Sequence, residues 1–214
     1  MQTWVQPDGS VRIVYDITFR NNPGAHPIDI VDIGAPTRQY GIQRVQASMG
    51  GQTLGDVRPS TVVSPGFEVH LHGQTIPPGR SRTLHVEFPV PDMVYQDTTR
   101  ADYASLQVVP TWFGSRYVTG TTELRVAIVL PPGVQPDEVL DQGKRFAQKS
   151  LVRMSPPEGG PPADRAVVAW QGDVRLVEAH KFGASFPKRV MQRVVHIGPF
   201  GLLLKWFSES TQAR

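Results

Sequence analysis

Cysteine is absent from the 214 residues of this chain. Without thiols the chain can form no disulfide bond, and it can supply no thiolate for catalysis, for a structural zinc ion or for an iron–sulfur cluster. The absence fits two compartments equally well: a reducing cytosol, or a bacterial envelope in which the protein avoids free thiols.

The chain also lacks a strong excess of charge of one sign. Its 22 Lys and Arg residues against 19 Asp and Glu residues leave a formal net charge of +3. Nucleic-acid binding needs a stripe or patch of basic side chains, and this sequence has only one local concentration of them. That concentration consists of Lys181, Lys188, Arg189 and Arg193. We therefore expect no nucleic-acid partner.

Long apolar runs are missing as well. Residues 1–20 contain no basic-then-apolar signal segment. The apolar run at residues 196–207 is shorter than the roughly 20 residues that a membrane-spanning helix needs, and Lys205 interrupts it. Basic residues followed by a stretch that contains Trp206 indicate that residues 189–214 form a membrane-proximal C-terminal segment. The alternative is a segment that docks on the folded domain.

Local motifs of catalysis do not occur in this sequence. It has no glycine-rich phosphate-binding loop, no H-E-x-x-H and no G-x-S-x-G. A Ser-His-Asp triad or a pair of glycosidase carboxylates can converge from distant positions, but nothing in the sequence selects one. A non-catalytic function is therefore the prediction.

Glycine and proline are what the chain has in quantity, with 20 of each. They lie between short runs in which apolar and polar side chains alternate, such as Val11 and Ile13 against Arg12 and Asp16. This period of two predicts antiparallel strands joined by tight turns. We expect an all-β sandwich, immunoglobulin-like or jelly-roll-like, with roughly nine to twelve strands. At most one short helix is expected, near residues 136–149.

A single β-sandwich domain over residues 1–188 is the preferred domain organisation. The alternative is a split near residue 100 into two packed smaller sandwiches. Residues 3–19 are typical of a hairpin around the turn Pro7–Ser10. The Pro- and Gly-rich segment Ser155–Pro162 is predicted to be a surface loop or linker. We do not expect it to separate two cores, because the strands after it are too few to bury a face by themselves.

Three histidines are candidate metal ligands. The sequence predicts a hairpin between Phe67–Leu71 and Thr83–Val90, on whose polar face His70, His72 and His85 would lie together with two glutamates. Imidazole with carboxylate suits zinc or another divalent metal ion. The alternative is an ordinary solvated sheet face without a cofactor.

Aromatic side chains concentrate around Pro110–Gly114. Trp112, with Tyr103 before it and Arg116 and Tyr117 after it, could form a platform that stacks on a sugar ring or on a partner protein. The alternative is a plug that seals one end of the sandwich.

Three aspartates, Asp92, Asp97 and Asp102, follow one another in a loop-like stretch. Oxygen-rich loops can hold calcium, but a spacing of five residues matches no compact calcium loop. We therefore expect them to cap turns.

Several segments resemble those of uncharacterised bacterial membrane-anchored proteins with an extracytoplasmic β-sandwich of unknown function. The segments that carry the resemblance are Pro7–Phe19, His26–Gly34, Pro110–Gly114, Leu130–Val134 and Phe182–Lys188. The resemblance implies an extracytoplasmic, membrane-associated location and brings no catalytic residues with it. It also implies that this chain is the soluble portion of such a protein.

The sequence thus favours a non-catalytic domain for binding or assembly in the cell envelope, with a protein or glycan partner there. This interpretation expects an apolar surface or a sheet edge open to a partner. One alternative is a carbohydrate-binding or sugar-processing sandwich that uses the aromatic segment. The other is a metal-binding sheet that uses the three histidines.

Overall fold

The computed structural model describes residues 1–142 and 146–196. Strands account for 47% of the described residues and helical residues for 6%, so the predicted all-β class is confirmed. The strands are β1 (Gln2–Val5), β2 (Val11–Arg20), β3 (Ile30–Gly34), β4 (Gln46–Met49), β5 (Gln52–Thr53), β6 (Val57–Pro59), β7 (Gly66–His70), β8 (Ser81–Val90), β9 (Tyr95–Gln96), β10 (Tyr103–Val108), β11 (Thr122–Val129), β12 (Leu140–Gln142), β13 (Gln148–Met154), β14 (Ala163–Val174) and β15 (Phe182–Pro187).

The first hairpin, β1–β2, is formed as the sequence predicts. Asp8 stabilises its turn by accepting a hydrogen bond from the backbone N–H of Ser10 at 2.9 Å and another from the Ser10 hydroxyl at 2.7 Å. Gly9 has a φ of 87°, a conformation that side-chain-bearing residues avoid. The turn residues thereby set the register of the two strands.

The strands form three sheets. An eight-stranded sheet has the order β13-β14-β11-β1-β2-β8-β4-β5, a four-stranded sheet the order β12-β15-β10-β9, and a three-stranded sheet the order β3-β7-β6. The strand pairs are antiparallel apart from β1 with β11. The large sheet is one layer of a sandwich, and ring contacts join it to both smaller sheets.

Aromatic rings hold the two layers together. Phe88 of the large sheet meets Phe67 of the three-stranded sheet with ring centroids 5.1 Å apart, and Tyr40 contacts both rings. Trp170 of the large sheet meets Phe182 of the four-stranded sheet at 5.2 Å. One buried cluster contains all five side chains, and its members come from the sequence both before and after residue 100.

The predicted hairpin between Phe67–Leu71 and Thr83–Val90 is wrong. β7 pairs with β3 and β6, whereas β8 pairs with β2 and β4 in the other sheet. The two segments lie in opposite layers and turn their apolar faces toward each other, as the contact between Phe67 and Phe88 shows. Apolar and polar residues alternate along each strand whether the two strands pack face to face or pair side by side. The sequence pattern therefore does not distinguish these arrangements.

The region around residues 136–154 also differs from the prediction. The helical content of its described residues is one 3-10 turn, Pro136–Glu138, and three further 3-10 turns occur at Ile42–Arg44, His72–Gln74 and Lys188–Val190. β12 and β13 follow, and neither strand was predicted. The segment Gln148–Met154 carries no alternating apolar face, because six of its seven residues are exposed.

A second, smaller apolar cluster lies on the outer face of the large sheet. Trp4 is its centre, and the guanidinium of Arg165 lies over the indole at 5.7 Å. The loop 155–162 is exposed as predicted, and its Glu158 bonds to Gln6 at 2.7 Å and pairs with Arg12 at 3.4 Å. The loop is thereby fastened to the first hairpin.

The aromatic contact between the layers makes a prediction about stability. Replacing Phe88 with Ala should lower the free energy of unfolding by about 3–5 kcal/mol, because a fully buried ring is lost and a cavity remains. Urea denaturation monitored by circular dichroism measures this change. Tyr117→Ala is the control, since that side chain is 83% exposed and its loss should change stability little. A loss at Phe88 no larger than that of the control would contradict the packing described here.

Candidate functional site

The three predicted metal ligands do not share one strand face. His70 lies on the outer side of β7 and forms a contact of 2.8 Å with Glu68. His72 follows in a 3-10 turn and forms a contact of 2.8 Å with Asp56. His85 lies on the outer side of β8, where it contacts Asp16 at 2.8 Å. Because β7 and β8 pack face to face, their outer sides point away from each other.

His70 and His72 remain neighbours, with ring centroids 5.9 Å apart. Asp56 lies beside them and accepts two hydrogen bonds from Arg58 at 2.7 and 2.8 Å. These bonds lower the pKa of Asp56; desolvation opposes them, and the contact with His72 lowers the pKa further. Among residues 1–142 and 146–196, no three His, Asp or Glu side chains are grouped so as to hold a metal ion. The arrangement is that of hydrogen-bonded polar side chains on a sheet surface.

The predicted aromatic platform is divided in two by the fold. Tyr103 begins β10, is buried, lies under the guanidinium of Arg100 and donates a hydrogen bond to the carbonyl of Glu138. Trp112 follows the far end of β10, so the length of the strand separates it from Tyr103, at about 3.3 Å per residue. These two residues therefore lie toward opposite ends of β10, and the ligand-binding role of Tyr103, Trp112, Arg116 and Tyr117 stays a prediction.

The remaining part of the aromatic segment is partly packed and partly exposed. Phe113 meets Phe19 edge-on at 5.6 Å, whereas Trp112 is half-buried. Arg116 and Tyr117 are exposed. This end of the sandwich combines the plug and the platform that the sequence left as alternatives.

The strongest concentration of exposed apolar side chains lies elsewhere, where the chain passes from β12 to β13. Among the described residues, seven large apolar side chains are strongly exposed, and four of them fall between residues 140 and 152. These four are Leu140, Phe146, Leu151 and Val152. We call β13 together with Leu140 and Phe146 the open edge. Sequence reasoning missed it, and the only signal in the sequence is Leu151-Val152 set among polar residues without alternation.

β13 is an edge strand along its full length. It pairs with β14 from Gln148 opposite Ala169 to Met154 opposite Ala163. Within the part of the chain that the structure describes, no other strand pairs with it. Long edges that carry apolar side chains are templates for pairing with another chain, and natural proteins usually shorten or charge them.

Asp97 is a second unusual residue, because its carboxylate is buried. It is 8% exposed and accepts hydrogen bonds from the Ser185 hydroxyl at 2.7 Å, from the N–H and hydroxyl of Thr99 at 2.8 Å and from the N–H of Arg100 at 3.0 Å. Burial acts to raise the pKa of Asp97, but these hydrogen bonds outweigh it and hold the pKa at about 2. The predicted turn-capping role is confirmed for Asp97.

Comparison with known protein families and with curated proteins gives no match for this chain. Among the described residues, no helix has the length and apolar character needed to cross a bilayer. Of the predicted membrane-proximal segment 189–214, the structure describes residues 189–196, and residues 197–214 lie outside the described residues. The envelope location therefore stays a prediction.

The ionised Asp97 predicts how stability depends on pH. Its pKa is lowered from 3.8 to about 2 on folding, so the charged carboxylate stabilises the folded state above pH 4. That stabilisation is lost as the pH falls through about 2, and it amounts to about 2 kcal/mol at about 1.4 kcal/mol per pKa unit.

Asp97→Asn should therefore lower the free energy of unfolding at pH 7 by about 2 kcal/mol and should flatten its decline between pH 4 and pH 2. Denaturant titrations across that pH range measure both effects. Asp29→Asn, at an exposed carboxylate, is the matched control. Equal acid sensitivity of Asp97→Asn and the wild type would show that Asp97 is not the group responsible.

Proposed function

We propose that this chain is a non-catalytic binding or assembly domain that takes up an extended segment of a partner protein along β13. The observation that carries the proposal is the open edge: of the seven exposed large apolar side chains among the described residues, four lie within or shortly before an edge strand of seven residues. An extended segment that joins such an edge gains backbone hydrogen bonds and side-chain contacts together.

The backbone of β13 supports this mode of binding. One side of the strand forms its ladder with β14. The N–H and C=O groups that point the other way are available to an added strand. Leu151 lies opposite the buried Ala166 and is 47% exposed, so a partner side chain placed beside it would extend the core.

The charge of β13 indicates the chemistry of the partner segment. Lys149 and Arg153 flank Leu151 on one face, and the strand contains no acidic residue. Lys149 is already paired with Asp141 at 2.7 Å. Arg153 pairs with Asp164 at 3.5 Å with both side chains well exposed, and such pairs contribute little. A partner segment with an apolar residue and an acid two positions from it complements Leu151 and Arg153.

A location in the bacterial cell envelope forms part of the proposal. It is supported by the resemblance of five segments to extracytoplasmic sandwiches. A non-catalytic function is supported by the lack of local catalytic motifs. Carboxylate contacts at His70, His72 and His85 agree with structural roles for these side chains.

The edge can be tested with displayed peptides. Random ten-residue peptides selected on the wild-type protein should be enriched in alternating acidic and apolar residues. Fluorescence anisotropy with the enriched peptides should show at least about tenfold weaker binding to Leu151→Lys, because an added charge on an edge opposes strand pairing. Hydrogen exchange should show protection within Gln148–Met154 on binding.

Val62→Lys is the matched control, since Val62 is 73% exposed in the loop that connects β6 and β7 of the other layer. It should bind the peptides as the wild type does. Thermal melts of both variants verify that they fold. The proposal is overturned if no peptide is enriched, if Leu151→Lys binds as tightly as wild type, or if protection appears only outside β13.

A further inference from the structure

A concave pocket of about 340 Å³ lies on the solvent-facing side of the four-stranded sheet. Core side chains such as Leu106, Ala184 and Phe186 occupy the other side of this sheet. The pocket is therefore separate from the sandwich interior, and it is also separate from β13, which belongs to the large sheet. Its lining is mostly polar: Tyr95, Gln96, Asp97, Thr98, Thr99, Ser105, Leu106, Gln107, Gln142 and His196.

A glycine separates two of the glutamines that line this pocket. Gly183 lies between Gln142 of β12 and Gln107 of β10 in one cross-strand row. A Cβ at this position would lie 2.9 Å from the Leu106 carbonyl oxygen and 3.2 Å from the Gln142 Oε1 atom. The absence of a side chain at Gly183 therefore lets the Gln142 side chain pack closely against this part of the sheet.

The next cross-strand row places a buried polar side chain at the bottom of the pocket. Ser105 lies opposite Ser185, which is 3% exposed and donates its hydroxyl hydrogen to Oδ2 of Asp97. Oδ1 of Asp97 receives three hydrogen bonds, whereas Oδ2 receives this one from the described residues. A carboxylate oxygen has two lone pairs, so Oδ2 can accept a further hydrogen bond from a ligand.

Other groups of the lining can also serve a ligand. The side-chain amide of Gln107 makes no hydrogen bond with the described residues, although it is half-buried, and it offers both a donor and an acceptor. Tyr95 adds an aromatic ring at one wall. The lining contains a carboxylate and neither Lys nor Arg, which disfavours an anionic ligand.

We propose that this pocket binds a neutral, hydroxyl-rich molecule of monosaccharide size. Hydroxyl groups both donate and accept, as do the glutamine amides, and they can donate to Oδ2 of Asp97. The apolar face of a sugar ring can lie against Tyr95. The volume falls within the range of small-molecule sites, about 300–1,000 Å³. This site is independent of the peptide-binding edge proposed above.

Saturation-transfer difference NMR with glucose, galactose, mannose and N-acetylglucosamine at millimolar concentrations tests the proposal. At least one of them should give a signal that saturates with concentration. Glucuronic acid should bind more weakly than glucose, because the ionised Asp97 repels its carboxylate. Absence of a saturable signal from all four neutral sugars overturns the proposal.

Two variants localise the binding. Gln107→Ala removes an amide without an internal partner and should weaken binding about fivefold, equivalent to one hydrogen bond. Ser105→Val fills the floor with methyl groups and should abolish the signal. Gln39→Ala, in an exposed loop, should bind as the wild type does. Unchanged affinity in both pocket variants places the sugar elsewhere and overturns the site.

Leu151→Lys separates this proposal from the previous one. It should leave sugar binding unchanged, because Leu151 does not line the pocket. Loss of sugar binding in a folded Leu151→Lys protein would contradict the assignment to the four-stranded sheet.

Discussion

The contact between facing sheets is the constraint on which the rest of this structure depends. Phe88 and Phe67 are both fully buried, and their rings meet edge to face at 5.1 Å. Successive side chains of a strand point to opposite sides. Once these rings face inward, every neighbouring residue of β7 and β8 is assigned either to the core or to an outer surface.

That assignment distributes the polar chemistry of the chain over three separate surfaces. His70 and Glu68 are outside on the three-stranded sheet, whereas His85 is outside on the eight-stranded sheet. Ser185 and Gln107 lie on the side of the four-stranded sheet that faces away from the core. Asp97 accepts a hydrogen bond from Ser185 there and lines the same pocket as Gln107. Each surface is thus a separate chemical environment, and residues that the sequence pattern grouped together do not share a site.

The passage of the chain between layers explains the open edge. β12 ends the four-stranded sheet and β13 ends the eight-stranded sheet, so both edges lie where the chain crosses from one layer to the other. Lys149 bridges them by pairing with Asp141 at 2.7 Å. A sandwich closes its two faces by packing, but its strand edges stay open unless something pairs with them.

The amino-acid sequence by itself determined the class of fold, the β1–β2 hairpin and the turn role of Asp97. These are local properties: alternation decides which side chains are apolar, and Gly9 and Asp8 decide where the chain reverses. Only the tertiary structure decided which strands are neighbours. An apolar stripe on β7 and another on β8 indicate that each strand has a buried face. They do not indicate whether the two strands pair in one sheet or pack against each other from two sheets. Strand partners come from packing between distant segments, so the separation of the histidines, the exposure of β13 and the row of Gln142, Gly183 and Gln107 were not visible in the sequence.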